Sequence, residues 1–436
     1  MKYLSILIGK IAIFVLEKLN RGSSLPGTIA KKLNKNILKN LEKPKLSLAV
    51  TGSSGKGSTT KLINKVFKEF GYKVAYNNKG SNEEAAIITT LLKNSTLTGK
   101  TKVDVSLFEI DERYVKYVFK DFQIDHLIIT NVTKDQPPRQ RHFDFICDEI
   151  KKGLNKDIKL TLNADDPILD TFINESNDIT YYSLNKTKKS YKKNMFEVLN
   201  TKRCKICNEK LDYEYYHIED IGKYNCPKCN IDKNIINQIT NIDYENKIIT
   251  IDKEYKIKVE NDMLYNFYNV LAAFTLCNIY LKDKEKIANI LSNATDKKIY
   301  NKKTFNKRNV YILNNKCENA TTYNESVLYT KEDKKLKTLV IGWYEISRRY
   351  NKDDISWLYD IDFELIKNID KVIVCGPQRY DIAVRMKLAG IDQKKIIIKD
   401  TINDIKESLI KSKGEIYAIL NFDYVEPFNS VIKEDL

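Results

Sequence analysis

Residues 46–59 read LSLAVTGSSGKGST, and this stretch decides the fold class of the chain. Its first six residues are mostly apolar and read as a short buried strand. Leu62, Ile63, Val66 and Phe67 then recur at helical spacing, and Gly71 closes the pattern as a helix C-cap would. The order is therefore strand, glycine-rich turn and helix.

A turn of this composition predicts a phosphate-binding site. Glycines let backbone N–H groups converge on phosphate oxygens, and the N-terminus of the following helix adds partial positive charge. Lys56 would reach the terminal phosphates, and Ser58 or Thr59 offers a hydroxyl to Mg²⁺. The spacing differs from the standard P-loop, so a tight strand–helix connection with an incidental lysine is the alternative. The predicted binding residues are Gly52, Ser53, Ser54, Gly55, Lys56, Gly57, Ser58 and Thr59.

Carboxylates follow the next predicted strand. Residues 103–108 are largely apolar and lead into Glu109, with Asp111 and Glu112 just beyond. A carboxylate at the carboxyl end of a strand beside the phosphate-binding turn is well placed to bind Mg²⁺, although such clusters also occur as solvated strand ends. Strands that alternate with helical patterns predict a doubly wound parallel sheet, with the chemistry at the carboxyl ends of the strands.

Four cysteines have the spacing of a metal site. Two Cys-x-x-Cys pairs are separated by 18 residues, and the four ligands would be Cys204, Cys207, Cys226 and Cys229. Tetrahedral Zn²⁺ takes four thiolates in sites that leave no open position, so this zinc is predicted to be structural. Redox chemistry is less favoured because one pair would suffice. A nucleic-acid-binding ribbon is the competing use, but Tyr213, Tyr215 and Tyr216 are better explained as packing within the ribbon.

The bulk composition excludes little. The chain has 436 residues, which predicts two or three domains, and a net charge of +16. That charge suits nucleic acid, an anionic membrane surface or a phosphorylated substrate. Lysine, asparagine and isoleucine are abundant throughout, as an AT-rich genome would give, and the basic residues form no compact block. Specific nucleic-acid binding is therefore not favoured.

The first residues read as a helix rather than a signal or a span. The apolar run to Leu16 is interrupted by Lys10 and is followed by Glu17 and Lys18, without a small-residue cleavage site. Apolar positions recur at helical spacing, which predicts a docked or interfacial helix. The cysteines outside the metal pattern are predicted core residues of a chain in a reducing cytoplasm, and they are Cys147, Cys277, Cys317 and Cys375.

The strand pattern restarts from about Tyr300. Residues 336–341, 371–375, 395–398 and 416–420 read as short buried strands with helical stretches between them. The predicted domains are an N-terminal helical segment (1–44), an ATP-binding domain (45–300) with the zinc ribbon inserted at 200–233, and a C-terminal α/β domain (301–436). Closure of the last domain over the nucleotide would complete the site.

In their order along the chain, several segments resemble the Mur ligase and folylpolyglutamate synthase superfamily. These segments are the glycine-rich turn, the strand ending in Glu109, Thr130-Asn131, residues 162–167 (LNADDP) and residues 265–273 (YNFYNVLAA). The resemblance implies that Lys56 binds ATP phosphates and that Glu109 holds Mg²⁺. It also implies that Asn163, Asp166 and Asn266 surround the adenosine. Because Asn266 opens an apolar helix, a capping role is the alternative.

The whole chain resembles the MurT branch of that superfamily, the ligase subunits of lipid II isoglutaminyl synthases. Residues 21–27 (RGSSLPG), 354–364 (DISWLYDIDFE) and 376–387 (GPQRYDIAVRMK) carry this resemblance. It implies a glutaminase partner of the GatD type that supplies ammonia. Asp354, with Asp353 next in line, would complete that partner's Cys–His site, and a surface turn or helix cap is the alternative. The glycine-rich acidic segment that the family carries before Asp354 is shortened here.

The resemblance implies a reaction. ATP with Mg²⁺ phosphorylates the α-carboxylate of D-isoglutamate in the stem peptide of lipid II, and ammonia attacks the acyl phosphate. The reaction would take place in the cytoplasm, and we further expect the protein to contact the inner face of the membrane. After Asp135-Gln136 the chain has Pro137-Pro138 where the family has Leu-Asp, so a paralogue acting on another carboxylate is one alternative. An amino-acid ligase, a nucleic-acid-binding protein and a silent scaffold for the partner are the others.

Overall fold

The structure is a computed structural model that describes residues 2–19, 22–77, 81–134, 142–259, 261–294, 300–315, 319–343 and 355–433. The helices are α1 (Lys2–Lys18), α2 (Leu25–Leu33), α3 (Ile37–Asn40), α4 (Lys56–Glu69), α5 (Glu84–Lys93), α6 (Val115–Asp121), α7 (Phe143–Lys151), α8 (Leu264–Leu281), α9 (Lys284–Ser292), α10 (Ala320–Glu332), α11 (Arg379–Leu388), α12 (Lys406–Lys411) and α13 (Phe422–Val431). Short 3-10 helices cover Pro167–Phe172, Ser356–Asp360, Phe363–Leu365, Gln393–Lys395 and Ile402–Ile405.

The strands form two large sheets and one hairpin. They are β1 (Leu46–Thr51), β2 (Val74–Tyr76), β3 (Val105–Glu109), β4 (His126–Ile129), β5 (Lys159–Asn163), β6 (Ile179–Leu184), β7 (Asp212–Ile218), β8 (Ile221–Asn225), β9 (Ile235–Asp243), β10 (Ile248–Ile251), β11 (Tyr255–Lys258), β12 (Tyr300–Phe305), β13 (Arg308–Asn315), β14 (Lys337–Gly342), β15 (Ile369–Cys375), β16 (Ile396–Lys399) and β17 (Glu415–Asn421). The predicted strand, turn and helix at β1 and α4 are confirmed.

The first sheet has the strand order β11-β10-β9-β6-β5-β4-β1-β3-β2 within the described residues. Neighbouring strands run parallel from β9 to β2, as a doubly wound sheet requires. The prediction of a parallel sheet is wrong for β10 and β11, which run antiparallel at one edge. The chain reverses there through tight turns in which Lys247, Asp252 and Lys253 have positive φ, so no crossover helix is needed.

The strands at the centre of this sheet are buried on both faces, which explains their continuous apolar runs. Leu48 and Val50 of β1 belong to the core beneath α4 and α8, whereas Ala49 between them belongs to the opposite core with α5, α6 and α7. Since side chains alternate along a strand, β1 holds both layers together. The predicted phosphate-binding turn therefore leaves the sheet from a strand that is buried on both faces.

The second sheet has the order β12-β13-β17-β14-β15-β16, and all neighbouring strands are parallel except the β12–β13 pair. Helices α10 and α11 pack on one face, and α12 and α13 pack on the other. The four strands that the sequence predicts here are confirmed to within two residues at their ends. The hairpin β12–β13 was not predicted.

The N-terminal segment forms the predicted helix α1, which packs on α2 and α5. In the described parts of the chain, no helix combines the length and the apolar character needed to cross a membrane. The predicted domain bounds at 1–44, 45–300 and 301–436 remain predictions.

Candidate functional site

The turn after β1 lies at the carboxyl end of a strand in the middle of the first sheet. Gly52 has φ +129°, and a Cβ there would lie 2.3 Å from Thr130 Oγ1 and 2.7 Å from Asn131 O. An L side chain would therefore meet the end of the neighbouring strand β4. Glycine at this position lets the turn pass directly over β4.

Two polar residues after β4 hold the turn in shape. Asn131 Oδ1 accepts a hydrogen bond from Ser54 N at 3.0 Å, and its Nδ2 donates to Ser54 O at 3.0 Å. Thr130 Oγ1 donates to the same carbonyl at 2.7 Å, and Ser53 N donates to Asn131 O at 2.9 Å. The turn is thus preorganised by side chains that the sequence analysis quoted only as part of a resemblance. Their position at the end of a neighbouring strand was the available signal.

A second glycine of the turn, Gly55, lies against α8. Gly55 has φ +81° and is the N-cap of α4, and a Cβ on it would lie 2.1 Å from Asn269 Oδ1. Thr59 is buried, and its Oγ1 donates to the same oxygen at 3.4 Å. The Thr59 hydroxyl therefore faces α8, whereas Ser58 is half-buried and stays the predicted hydroxyl ligand of Mg²⁺. Asn269 was not predicted, although it lies within the quoted segment 265–273.

Lys56 folds back over the turn. Its Nζ donates to Gly52 O and forms an ion pair with Glu112 Oε1 at 2.7 Å. The Glu112 side chain is only 2% exposed and that of Lys56 is 13% exposed. A buried carboxylate needs a paired cation, so Glu112 positions the ammonium beside the turn. Glu112 was predicted only as a member of the carboxylate cluster, and its pairing with Lys56 was not predicted.

Glu109 approaches the same helix terminus from β3. Its backbone is fixed by Asn77, whose Oδ1 accepts from Glu109 N at 2.9 Å and whose Nδ2 donates to Glu109 O at 2.8 Å. A Cβ on Gly57 would lie 3.0 Å from Glu109 Oε2. The absence of a side chain at residue 57 lets the carboxylate lie against the first turn of α4, next to Ser58. Carboxylate and hydroxyl oxygens are ligands that Mg²⁺ accepts, so the residues present fit this ion.

Asn163 and Asp166 lie at the end of β5, two strands from β1. Asn163 Oδ1 accepts from Asp165 N at 3.1 Å, and Asp166 Oδ1 accepts from Ile168 N at 2.9 Å. Burial, reinforced by Asp220, raises the pKa of Asp166 well above its usual range. Within the described residues no partner with hydrogen-bond geometry reaches Asp166 Oδ2. The adenosine role of both residues remains a prediction.

Asn266 lies in the first turn of α8, one turn before Asn269. The N-cap of this helix is Met263, so the alternative of a capping role for Asn266 is wrong. Its Nδ2 donates instead to Asn261 O at 3.1 Å. Residues three apart share one face of a helix, so Asn266 lies on the same side of α8 as the contact with the turn.

The four cysteines converge. Their sulfur atoms all lie within 4.8 Å of one another, with Cys204 and Cys229 Sγ 3.8 Å apart and Cys207 and Cys226 Sγ 3.4 Å apart. Each pair ends in an asparagine with positive φ, and the N–H groups of Asn208 and Asn230 each donate to the carbonyl of the first cysteine of their pair at 2.9 Å.

This arrangement fits zinc. The N–H of Glu209 and the neighbouring thiols lower the pKa of Cys207, whereas burial raises the pKa of Cys204 and the neighbouring thiols raise that of Cys229. Four sulfur ligands on tight turns suit a tetrahedral, closed site, so zinc is suggested by the geometry of the donors. The predicted tyrosine packing is confirmed, because the rings of Tyr213 and Tyr216 stack with centroids 4.2 Å apart.

The hairpin β7–β8 carries two buried acids into the space between the two large sheets. Glu219 has φ +47°, and its carboxylate accepts hydrogen bonds from Asn324 Nδ2 at 2.6 Å and from Thr321 Oγ1 at 2.9 Å. Burial, reinforced by Asp220, raises the pKa of Glu219 to about 8. Tyr213 at the base of the hairpin donates to Asp220 O at 2.8 Å. The ribbon is therefore joined to α10, and nothing in the sequence pattern signalled this contact.

The second domain also reaches the phosphate-binding turn. Asn319, the N-cap of α10, donates from Nδ2 to Ser54 Oγ at 3.3 Å. Lys134, after β4, pairs with Asp360 at 3.2 Å. The turn thus has walls from β4, α8 and the start of α10.

Asp354 and Asp353 lie outside the described residues, and so does the 135–141 loop with Pro137 and Pro138. The segment after Asp354 is anchored by Trp357, which packs against Trp343 with ring centroids 5.3 Å apart. Arg385 of α11 binds Glu364 through two contacts of 2.7 Å. The described parts of the second and third segments that carry the MurT resemblance therefore lie side by side.

Two histidines and three cysteines of the described residues have contacts away from the turn. His126 is a buried core residue whose ring is bonded to Thr161 and Tyr280, and burial lowers its pKa to about 3. His142 is half exposed and caps α7, accepting from Asp144 N at 3.3 Å. The core prediction is confirmed for Cys147, Cys277 and Cys375, and Cys317 lies outside the described residues.

Two regions of the chain match models of known protein families. Residues 50–277 match the Mur ligase middle domain, and residues 317–424 match the MurT ligase C-terminal domain. The chain therefore belongs to the Mur ligase family, whose members are ATP-dependent carbon–nitrogen ligases that use Mg²⁺. Its relatives include the MurT subunit of lipid II isoglutaminyl synthase from Staphylococcus aureus, 28% identical over 414 residues that cover 93% of this chain and 92% of that protein.

Other similarities are more distant. The MurT subunit from Streptococcus pneumoniae is 26% identical over 426 residues, which cover 93% of this chain and 91% of that protein. A pseudomurein peptide ligase type C from Methanothermus fervidus has a TM-score of 0.67 at 24% identity and covers 91% of this chain and 80% of that one. MurF from Thermotoga maritima in complex with ADP has a TM-score of 0.60 at 16% identity, covering 93% and 82%. These structural likenesses show the Mur ligase fold.

Proposed function

We propose that the chain is the ligase subunit of a lipid II isoglutaminyl synthase, which converts the α-carboxylate of D-isoglutamate in the stem peptide to an amide. The observation that carries this proposal is the presence, in one chain, of a preorganised glycine-rich turn and a C-terminal segment that matches the MurT domain. The relatives named MurT, similar over nearly their whole length, support the same substrate.

The turn would bind the phosphates of ATP. The N–H groups at the start of α4 and the Lys56 ammonium would offset the negative charge of the phosphoryl group as it moves. Glu112 would hold that ammonium in place. The substrate carboxylate attacks the γ-phosphorus, and the bond to the β-phosphate oxygen breaks, which yields an acyl phosphate and ADP. Ammonia then adds to the acyl carbon, and inorganic phosphate and a proton leave.

Two metal ions belong to this proposal. Glu109 and Ser58 would hold Mg²⁺, whose charge neutralises the phosphate oxygens. Cys204, Cys207, Cys226 and Cys229 would hold a structural Zn²⁺. Asn163, Asp166 and Asn266 would surround the adenosine.

Ammonia would come from a glutaminase subunit of the GatD type. Helix α11 displays an exposed apolar stripe at Tyr380, Val384 and Leu388, spaced one turn apart. Arg385 of the same helix binds Glu364, so α11 lies against the described residues 355–364 of the second segment with MurT resemblance. We infer that the partner docks there and that Asp354, or failing it Asp353, completes its active site.

The proposed place of action is the cytoplasm, where ATP is available, at the inner face of the membrane that holds lipid II. The test is to incubate the purified chain with ATP, Mg²⁺, isotope-labelled ammonium and lipid II, and to analyse the stem peptide by mass spectrometry. Ammonium replaces the partner, so the ligase is tested alone. Label in the amide of D-isoglutamine, absent with Lys56→Ala, is the expected result.

A second candidate is a ligase that joins an amino acid to a carboxylate. It is favoured by the similarity to a UDP-N-acetylmuramoylalanine–D-glutamate ligase from Fusobacterium nucleatum, 23% identical over 414 residues that cover 93% of this chain and 79% of that protein. ATP hydrolysis stimulated by an amino acid, without incorporation of label from ammonium, would support this function and reject amidation.

A further inference from the structure

Helix α1 exposes an apolar face to solvent. The residues on this face are Leu4 (50% exposed), Leu7 (42%), Ile11 (54%), Phe14 (67%) and Val15 (48%). Their spacing of three or four residues places them along one side of the helix. Single exposed apolar residues are ordinary, but a continuous row along a helix marks an interaction surface.

The opposite face fixes α1 to the body of the protein. Ile6 and Ile13 are buried, and a Cβ on Gly9 would lie 2.8 Å from Leu92 Cδ1 and 3.2 Å from Ala30 Cβ. Lys10 Nζ donates to the carbonyls of Leu92 and Ser95 at 2.5 and 2.7 Å, at the end of α5. These contacts of the inner face hold α1 in place, so the apolar outer face remains at the surface of the folded protein.

The charge around α1 is strongly positive. The first 45 residues contain ten Lys or Arg and two Glu, so half of the net charge of +16 lies in about a tenth of the chain. Lys2 and Lys18 lie at the two ends of the helix, and Lys18 Nζ lies 4.5 Å from the centroid of the Phe14 ring. Lysines that run along apolar surface and hold their charge in water are typical of helices that lie in a membrane interface.

We propose that the outer face of α1 docks the protein on an anionic lipid bilayer, with the apolar residues among the acyl chains and the lysines at the headgroups. A second copy of the chain is a poorer occupant, because two such faces would bring lysines of like charge together. This inference goes beyond the proposed function, since it concerns binding to lipid and requires no catalytic step.

Vesicle sedimentation tests the proposal, using the full chain and vesicles that contain no muropeptide. The wild type should bind phosphatidylglycerol vesicles at least ~10-fold more tightly than phosphatidylcholine vesicles, and added salt should weaken this binding. Ile11→Asp with Phe14→Asp should reduce the binding to phosphatidylglycerol by at least ~10-fold. The matched control is Ile410→Asp with Phe422→Asp, which places the same charges on exposed apolar sites of α12 and α13.

Several outcomes would overturn the proposal. Equal loss of binding in the control pair would show a general charge effect, and undiminished binding of the α1 pair would show that this face is not used. A dimer in light scattering that the α1 pair converts to a monomer would assign the face to a second copy. Circular dichroism and thermal melting establish that the variants fold, and Lys2→Glu with Lys18→Glu tests the electrostatic part while the apolar row is kept. If the wild type binds vesicles but does not amidate lipid II, the proposed function is rejected and the membrane proposal is not.

Discussion

Asn324 Nδ2 donates a hydrogen bond of 2.6 Å to Glu219 Oε1, and this contact joins the hairpin β7–β8 to the C-terminal sheet domain through α10. The same amide donates to Asp360 O at 3.0 Å, and its Oδ1 accepts from Asp362 N at 2.8 Å. Asn324 is fully buried, so all of its bonds are shielded from water. The ribbon, helix α10 and the 356–365 segment therefore meet at a single side chain.

Glu219→Gln should change the pH dependence of stability. Because the pKa of Glu219 is raised to about 8 in the folded state, from about 4.3 in unfolded chains, its contribution is complete below the unfolded pKa. The contribution is lost as the pH rises through the folded pKa. Gln stays neutral, and the Thr321 hydroxyl can turn to accept from it. The variant should equal the wild type near pH ~4 and be more stable by roughly 2 kcal/mol at pH ~9, in urea unfolding. A constant difference at all pH values would contradict the raised pKa.

Lys56→Ala should reduce ATP-dependent turnover by at least ~100-fold, because it removes the cation that the turn holds for the phosphates. It also removes the ion pair of the buried Glu112 carboxylate with Lys56, which should lower the unfolding free energy by roughly 1 to 3 kcal/mol. Lys56→Ala with Glu112→Gln should recover most of that stability and none of the turnover. Turnover that returns with stability would mean that Lys56 has a purely structural role.

Gly55→Ala should be far more damaging than Gly71→Ala. Both glycines have positive φ, so each substitution costs about 1 kcal/mol of backbone strain. At Gly71 the new methyl meets nothing within 4 Å, whereas at Gly55 it would lie 2.1 Å from Asn269 Oδ1. ATP affinity, measured by calorimetry, should fall by at least ~10-fold for Gly55→Ala and stay unchanged for Gly71→Ala. Equal affinities would show that the contact with Asn269 does not shape the turn.

Removal of the metal should loosen the ribbon. The wild type should bind one zinc per chain, and Cys207→Ser should weaken zinc affinity by at least ~100-fold, measured by chelator competition. Cys147→Ala, a buried cysteine outside the cluster, is the control and should keep the metal. Limited proteolysis should cut the variant within residues 200–233. Full zinc retention in Cys207→Ser would exclude the four-cysteine site.

Val384→Asp should prevent docking of the glutaminase subunit. Val384 is 51% exposed on α11, so the charge should not disturb folding but should cost an apolar interface at least ~10-fold in affinity. Glutamine-dependent amidation should fall while ammonium-dependent amidation remains. Ile410→Asp, on the exposed face of α12, is the control. Loss of both activities would show that the stripe supports the ligase rather than the partner.

The parts of the fold and site that follow from local chemistry were accessible from the sequence. The turn at residues 52–59 follows from its glycines and from the strand before it and the helix after it. The spacing of the four cysteines predicts the ribbon. The antiparallel edge strands β10 and β11 were missed because each is only four residues long and they reverse through turns without glycine. Glu219 and Asn319 were missed because their partners lie 105 and 265 residues away in the sequence, and no local pattern reports such contacts.

The contact between Asn269 and the phosphate-binding turn has a consequence for biosynthesis. The turn leaves the ribosome within the first 60 residues, but Thr59 finds Asn269 only 210 residues later. Helix α8 also packs against α4, β5, β6 and β9, so the first sheet lacks one covering layer until that helix emerges. At synthesis rates of about 5–20 residues per second, the apolar strands wait for at least ~10 s without this cover. Nascent chains that stop before residue 264 are therefore the form of this protein that most needs a chaperone.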